Sequence, residues 1–466
     1  MKQIIVTSIL SLSLATVTMA QEKRWTMDEC MHYAVENSPK VKKQTHTSDS
    51  YKAELNSAVA SFFPSMSASV GAQYSFGRSI DPETNVYNNT STFNNGYGLS
   101  VSIPIFNGGQ LINQWRMAKA NRQLGMNDIQ KEKDDLAINT MQAFMDVVYY
   151  QGTVKLAAEQ LEENSRILYK TRRQEELGLK GKADVAQIEA QVAANDYNLT
   201  HQQNLLNTAI LTLKQNMNFP SEMELDVDTM LLDKSYATML ESVEEIYDYA
   251  SDNNPTALQA QLQLKSSKMK YLMAKGRMLP SISFSAGVST NYYENLKGEQ
   301  APAAFGSQFK NNRGEYISFN LSFPLFNGLD RLTNLRKARN NMRIAQEQQT
   351  EVLRQLQTAI EQAILDREGY AKETIQMEKK AQADEIAYQV TLRKFEEGLM
   401  SPIDLQTSAN TLLLSKADLL QRKLSVYTNE IIELLLRNLT DTDTTSVHFQ
   451  CRCMIAENDP SDQCQE

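Results

Sequence analysis

The sequence predicts a mainly α-helical, internally duplicated chain in which two long helical hairpins of coiled-coil type are joined to four β-strands suited to a transmembrane barrel. Three observations carry this expectation. The stretch Ser102-Ile103-Pro104-Ile105-Phe106-Asn107-Gly108 recurs almost letter for letter as Ser322-Phe323-Pro324-Leu325-Phe326-Asn327-Gly328. Before each copy, apolar and small residues alternate with period two, as in a strand with two unlike faces. After each copy comes a proline-free stretch of about 70 residues, which as helix would span roughly 100 Å.

Duplication follows from landmarks that return in one order. Ala34-Val35-Glu36-Asn37-Ser38-Pro39 comes back as Ala250-Ser251-Asp252-Asn253-Asn254-Pro255, and Phe63-Pro64-Ser65 as Leu279-Pro280-Ser281, both 216 residues on. The strand-to-helix signature returns after 220 residues, as does Gly178-Leu179 with Asp184 in Gly398-Leu399 with Asp404. Matched spacing of this kind marks a repeat. The first repeat is read as 21–218 and the second as 241–439, with a linker over 219–240 and a polar, acidic tail over 440–466.

Residues 1–20 read as a secretory signal, with Lys2, an apolar run from Ile4 to Leu14 and small residues before Gln21. A short helix is expected around 27–37. A second runs from about 39 to Phe63, where Pro64 stops it. Strands are expected at about 65–79 and 96–106, joined by a loop rich in Asn and Thr. The first places Met66, Ala68, Val70, Ala72, Tyr74 and Phe76 on one face and Ser65, Ser67, Ser69, Gly71, Gln73 and Ser75 on the other. The second repeat places strands at about 281–293 and 315–326. An apolar face about ten residues long on each strand, with aromatics near the ends, fits a tilted strand crossing a bilayer better than a soluble sandwich.

Four strands cannot seal themselves in hydrocarbon, where each unpaired backbone group costs several kcal/mol. Closure therefore demands other copies: two would give a filled eight-stranded barrel and three a twelve-stranded one with a lumen.

Pro104, Phe106, Asn107 and Gly108, with Pro324, Phe326, Asn327 and Gly328, form the strand-to-helix junctions, where the Asn side chains can accept from the first free N–H groups of the helices. The hairpins span 108–217 and 328–439. Leu405, Leu412, Leu419 and Val426 recur every seven residues, as do Leu413, Leu420, Tyr427 and Leu434, the spacing of knobs-into-holes packing. The turns lie at Gly178–Asp184 and Gly398–Asp404. There glycine can end the outgoing helix in a left-handed conformation, and Asp184 and Asp404 sit where a carboxylate favours the helix dipole.

Composition narrows the function classes. A formal charge of −9 without a Lys/Arg cluster argues against a nucleic-acid partner. No run of about 18 apolar residues follows the leader, so any membrane contact is expected through strands. The four histidines, His32, His46, His201 and His448, share no metal-ligand spacing, and Cys30 is far in sequence from Cys451, Cys453 and Cys464. Gly178-Leu-Lys-Gly-Lys-Ala183 has two residues between its glycines where a phosphate loop needs four, and Ala183 replaces the magnesium-binding hydroxyl. No catalytic residue, cofactor or metal is assigned.

Taken together, the twin strand-end signatures, the twin helix tips, the Asn-x-Pro starts and the duplication resemble the TolC-type outer-membrane efflux proteins from about Trp25 to Leu439. The resemblance implies a homotrimer in outer-membrane lipid, with a twelve-stranded barrel continuing into a periplasmic α-helical tunnel. It implies an exit duct for an efflux pump or type I secretion system, served by a periplasmic adaptor and an inner-membrane transporter. It also implies that the tips, with Gly178, Leu179, Asp184, Gly398, Leu399 and Asp404, contact the adaptor. Asp404 matches an acidic position that narrows the closed pore, whereas Thr407 stands where relatives can carry a second acid. The rival expectations are a stand-alone porin and a structural coiled-coil envelope protein.

Overall fold

A computed structural model describes residues 24–80, 85–228, 242–297 and 302–437. The expected leader at 1–20, the linker beyond 228, and the tail with Cys451, Cys453 and Cys464 lie outside the described residues. The first half contains β1 (Arg24–Trp25), α1 (Met27–Asn37), α2 (Pro39–Ala60), β2 (Ser65–Ile80), β3 (Tyr87–Phe106), α3 (Gln110–Glu176), α4 (Lys182–Met217) and β4 (Asp226–Val227). The second contains α5 (Val243–Asn253), α6 (Pro255–Gly276), β5 (Ser281–Asn295), α7 (Phe305–Asn311), β6 (Gly314–Ser322), α8 (Asp330–Glu396) and α9 (Pro402–Arg437).

Helix lengths repeat residue for residue. α1 and α5 each have 11 residues, α2 and α6 have 22, α3 and α8 have 67, and α4 and α9 have 36. The caps repeat as well. Thr26 and Ser242 form reciprocal boxes with Glu29 and Glu245, the backbone N–H of each cap residue donating to the glutamate at 3.0 Å. Ser38 and Asn254 cap α2 and α6, whose first residue is proline, so the missing N–H falls where no helical partner exists anyway.

The strands form one antiparallel sheet in the order β2-β3-β5-β6. Its register puts Met66, Val101, Ala286 and Ile317 side by side, and Ala68, Leu99 and Val288 beside them, so the apolar positions of both halves share one face. Ser67 and Ser100 hydrogen-bond to each other at 2.8 Å on the opposite face. Among the described residues β2 pairs only with β3 and β6 only with β5, which leaves an open edge at each end of the sheet.

Two strand expectations need correction. β3 begins at Tyr87 rather than at about 96, because Asn88–Asn95 pair in register with β2; cross-strand pairing overrides the low β-propensity of the Asn residues. β6 ends at Ser322 rather than at Phe326. In the first repeat the matching residues Pro104 and Phe106 pair with β5 through a bulge, whereas Phe323–Phe326 have no described strand beside them.

α3 is the spine, packing against α1, α2, α4, α6 and α9 along its length. Its middle turns, with Met141, Phe144, Val147 and Val148, pack with Met27, Cys30 and Met31 of α1 and Leu213 and Met217 of α4 in the largest buried cluster. Trp25, Tyr33 and Phe219 close that cluster edge to face. No helix among the described residues is long and apolar enough to cross a membrane.

Candidate functional site: a lipid-facing sheet and paired hairpin tips

The strand-to-helix junctions are built alike in both halves. Asn107 Oδ1 accepts from Leu111 N at 3.3 Å and Asn327 Oδ1 from Arg331 N at 3.5 Å, as the sequence predicts. Two consecutive left-handed residues make each turn: Gly108 and Gly109 in the first, Gly328 and Leu329 in the second. Gly108 also touches the end of α6, where an added Cβ would lie 2.1 Å from the carbonyl oxygen of Gly276. Pro104 and Phe106 lie in β3, while Pro324 and Phe326 lie beyond the end of β6, with Phe326 81% exposed.

Above the junctions the apolar face is bare. Met66, Val70, Ile317, Phe319 and Leu321 are exposed, bounded by Phe63, Phe106, Phe323 and Phe326 at the helical end and by Tyr74, Phe76 and Tyr87 at the other. Apolar residues between two aromatic girdles match the outer surface of a membrane barrel.

At the far end, both hairpins turn in the same way. Gly178 (φ +72°) and Gly398 (φ +77°) adopt left-handed conformations, and Leu179 N and Leu399 N each donate at 2.8 Å to a carbonyl five residues back, those of Gln174 and Lys394. This is the Schellman closure that glycine makes easy. Asp184 accepts from Gly181 N at 3.1 Å; Asp404 accepts from Ser401 N at 3.3 Å and Ser401 Oγ at 2.7 Å. Both acids therefore start their return helices. Asp404 and Thr407 are exposed, and the Thr407 hydroxyl donates to Ile403 O at 2.9 Å.

The sequence reading missed what binds the two tips together. Lys170 pairs with Glu396 at 2.7 Å, and Lys180 Nζ sits 4.4 Å from the Phe395 ring centroid. Ile167, Ile188, Tyr388, Phe395, Leu405 and Leu412 form a buried core just behind. Beyond it Leu177, Leu179, Leu399 and Ile403 remain exposed, a small apolar surface at the extremity. No local pattern announces contacts between residues more than 200 positions apart.

The crowded spine perturbs its own carboxyls. Burial pushes the Asp134 carboxyl up to about 6, against the pull of the Gln130 amide that donates to it at 2.7 Å. The folded chain therefore holds an extra proton between about pH 4 and 6, and stability from this group falls as pH rises through that window. Asp134→Asn is expected to stabilise the fold by on the order of 1–2 kcal/mol at neutral pH and to change nothing near pH 4. Thermal melts at the two pH values check this; equal gains at both would place the cause outside titration.

A model of the outer membrane efflux protein family matches residues 31–218 and 246–432, one match in each half. Outer membrane protein TolC of Escherichia coli K12 is 22% identical over 429 residues, covering 88% of this chain and 82% of TolC. The Campylobacter jejuni CmeC outer membrane channel superposes with a TM-score of 0.75 at 16% identity, over 88% of this chain and 85% of that one. The open state of the Neisseria gonorrhoeae MtrE outer membrane channel gives 0.71 at 16% identity, over 88% of each chain. With the duplicated hairpins, the four-stranded sheet and a family match spanning both halves, this chain belongs to the outer membrane efflux protein family.

Proposed function

We propose that three copies of this chain close a twelve-stranded barrel in the outer membrane and continue it inward as a helical duct. The duct would carry cargo passed on by an inner-membrane transporter through a periplasmic adaptor. The observation that carries this reading is the junction itself: a sheet with an apolar face and two open edges leads, through the short connections at 107–109 and 323–329, into helices of 67 residues, about 100 Å each. An open edge in lipid must be paired. The duplication supplies a register for the pairing, since β6 would meet β2 of the next copy as β3 meets β5 within the chain.

A stand-alone porin would need the sheet but not the hairpins, and a coiled-coil scaffold would need the hairpins but not the lipid-facing strands. The exposed leucines at the tips support docking of the adaptor there, and Asp404 and Thr407, on the exposed side of α9, are the candidates for the pore constriction. In planar bilayers the purified protein is expected to conduct little by itself; large unblocked currents would favour the porin. Leu179→Asp and Leu399→Asp alter exposed side chains only, so folding should stay within about 0.5 kcal/mol of the parent while export falls sharply. Export unchanged in both variants would remove the tips from the docking site.

A further inference from the structure

We propose that α7 is an interfacial foot, which rests on the outside of the barrel at the outer rim and presses Phe305 and Phe309 into the headgroup region of the outer leaflet. This rests on the barrel reading and goes beyond it, because α7 has no counterpart among the described residues of the first repeat. There the strands are joined across residues 81–86; in the second repeat the connection between Asn295 and Gly314 is longer and contains the helix.

Its position is fixed by side chains that imitate a strand. β6 stops pairing at Gly314, opposite Ser289. Past that point α7 takes over the edge of β5. Gln308 accepts from Tyr293 N and donates to Tyr293 O, both at 2.9 Å, and Asn312 Nδ2 donates to Asn291 O at 2.8 Å. Thr290 Oγ1 donates to Phe309 O at 2.7 Å. Backbone groups that would otherwise face lipid unpaired are thereby satisfied.

The face on which α7 lies decides its surroundings. Phe305 and Phe309 pack on Tyr97 at 6.2 and 5.4 Å between ring centroids, and Phe305 on Tyr292 at 5.6 Å. Tyr97 aligns with Val70 and Thr290, and Tyr292 follows two positions later on the same side, so these rings share the apolar face. Phe305 and Phe309 nevertheless stay 49% and 42% exposed, so the helix adds apolar surface to the lipid-facing side rather than burying it.

Height follows from the strand. From Ser281 to Tyr292 β5 advances about 11 residues, roughly 36 Å along a strand that tilts by about 40°, or some 28 Å of height. The apolar band of such barrels is about 25 Å tall. Arg313 and Glu315, paired with each other, mark the place where the apolar face of β6 gives way to charge, and Lys310 lies in the last turn of α7. Aromatic rings beneath with basic groups beside them is the composition of a membrane–water boundary.

Tryptophan fluorescence in proteoliposomes tests the assignment, with lipids brominated near the headgroup or near the chain end, each compared with the parent protein. Phe309→Trp is expected to be quenched more by the shallow bromine than by the deep one, and Val70→Trp, on the bare strand face, more by the deep one. Phe305→Trp serves as the second reporter should the first variant fold poorly. If Val70→Trp is quenched while both α7 reporters behave like the parent, α7 faces water or the lumen and the proposal falls with the barrel intact. If no reporter is quenched, the strand face is not in lipid and both readings fall.

Discussion

Phe319→Arg is expected to abolish assembly of the proposed barrel, while Asn320→Arg, one residue on, leaves it intact. Phe319 stands on the apolar face of β6, opposite Phe284 with ring centroids 5.0 Å apart, and is 71% exposed. A basic side chain on the lipid face costs about 2–4 kcal/mol near the bilayer midplane, and a closed barrel bears that cost once per copy. Asn320 pairs with Ser283 on the opposite face, where a charge would meet water. Gel mobility with and without heating, after extraction from the membrane, separates the two. Equal tolerance of both variants would mean that the sheet buries its apolar face against protein and not lipid.

The second large effect is expected at the contact between the first junction and α6. Gly108 has φ +67° and its would-be Cβ lies 2.1 Å from Gly276 O; a Cβ on Gly276 would in turn lie 2.4 Å from Gly108 O. Gly108→Ala thus meets a left-handed backbone and a backbone clash together, for an expected loss of about 3 kcal/mol or more. Gly276→Ala meets the clash alone. Gly328→Ala meets the conformation alone, at φ +66° with nothing within 4 Å, and should cost about 1 kcal/mol in the isolated chain. Denaturation of the three variants ranks them. If Gly276→Ala is harmless, the two backbones can slide apart and the contact is not a fixed point of the fold.

Much of this was legible in the residues. The duplication, the alternating strand faces, the Asn107 and Asn327 caps and the glycine turns at the tips are all local patterns, and local physics suffices to form them. The heptad spacing was coarser: Leu405, Leu412 and Tyr427 are buried, whereas Leu413, Leu419 and Leu420 are only half-buried. What stayed hidden depends on distant partners. The Asn- and Thr-rich run before residue 96 becomes strand because β2 lies beside it. The change of spacing from 216 to 220 betrayed an insertion between the second pair of strands but not the aromatic helix it carries. Lys170, Lys180, Phe395 and Glu396 meet at the tips only because two hairpins of equal length run side by side.

The repeat makes Gly276 the counterpart of Ala60, and Gly108 the counterpart of Gly328. In the proposed ring of copies Gly328 would face Ala60 of the partner subunit, whose Cβ stands where Gly276 has none, so that joint cannot close as tightly as the one between Gly108 and Gly276. On that reading every second sector joint is already made when a single polypeptide folds. Only the alternate joints wait on encounter between molecules. Fusing two sectors into one gene product would halve the seams left to form between molecules, and leave each newly exported copy with a single kind of seam through which it can recognise another.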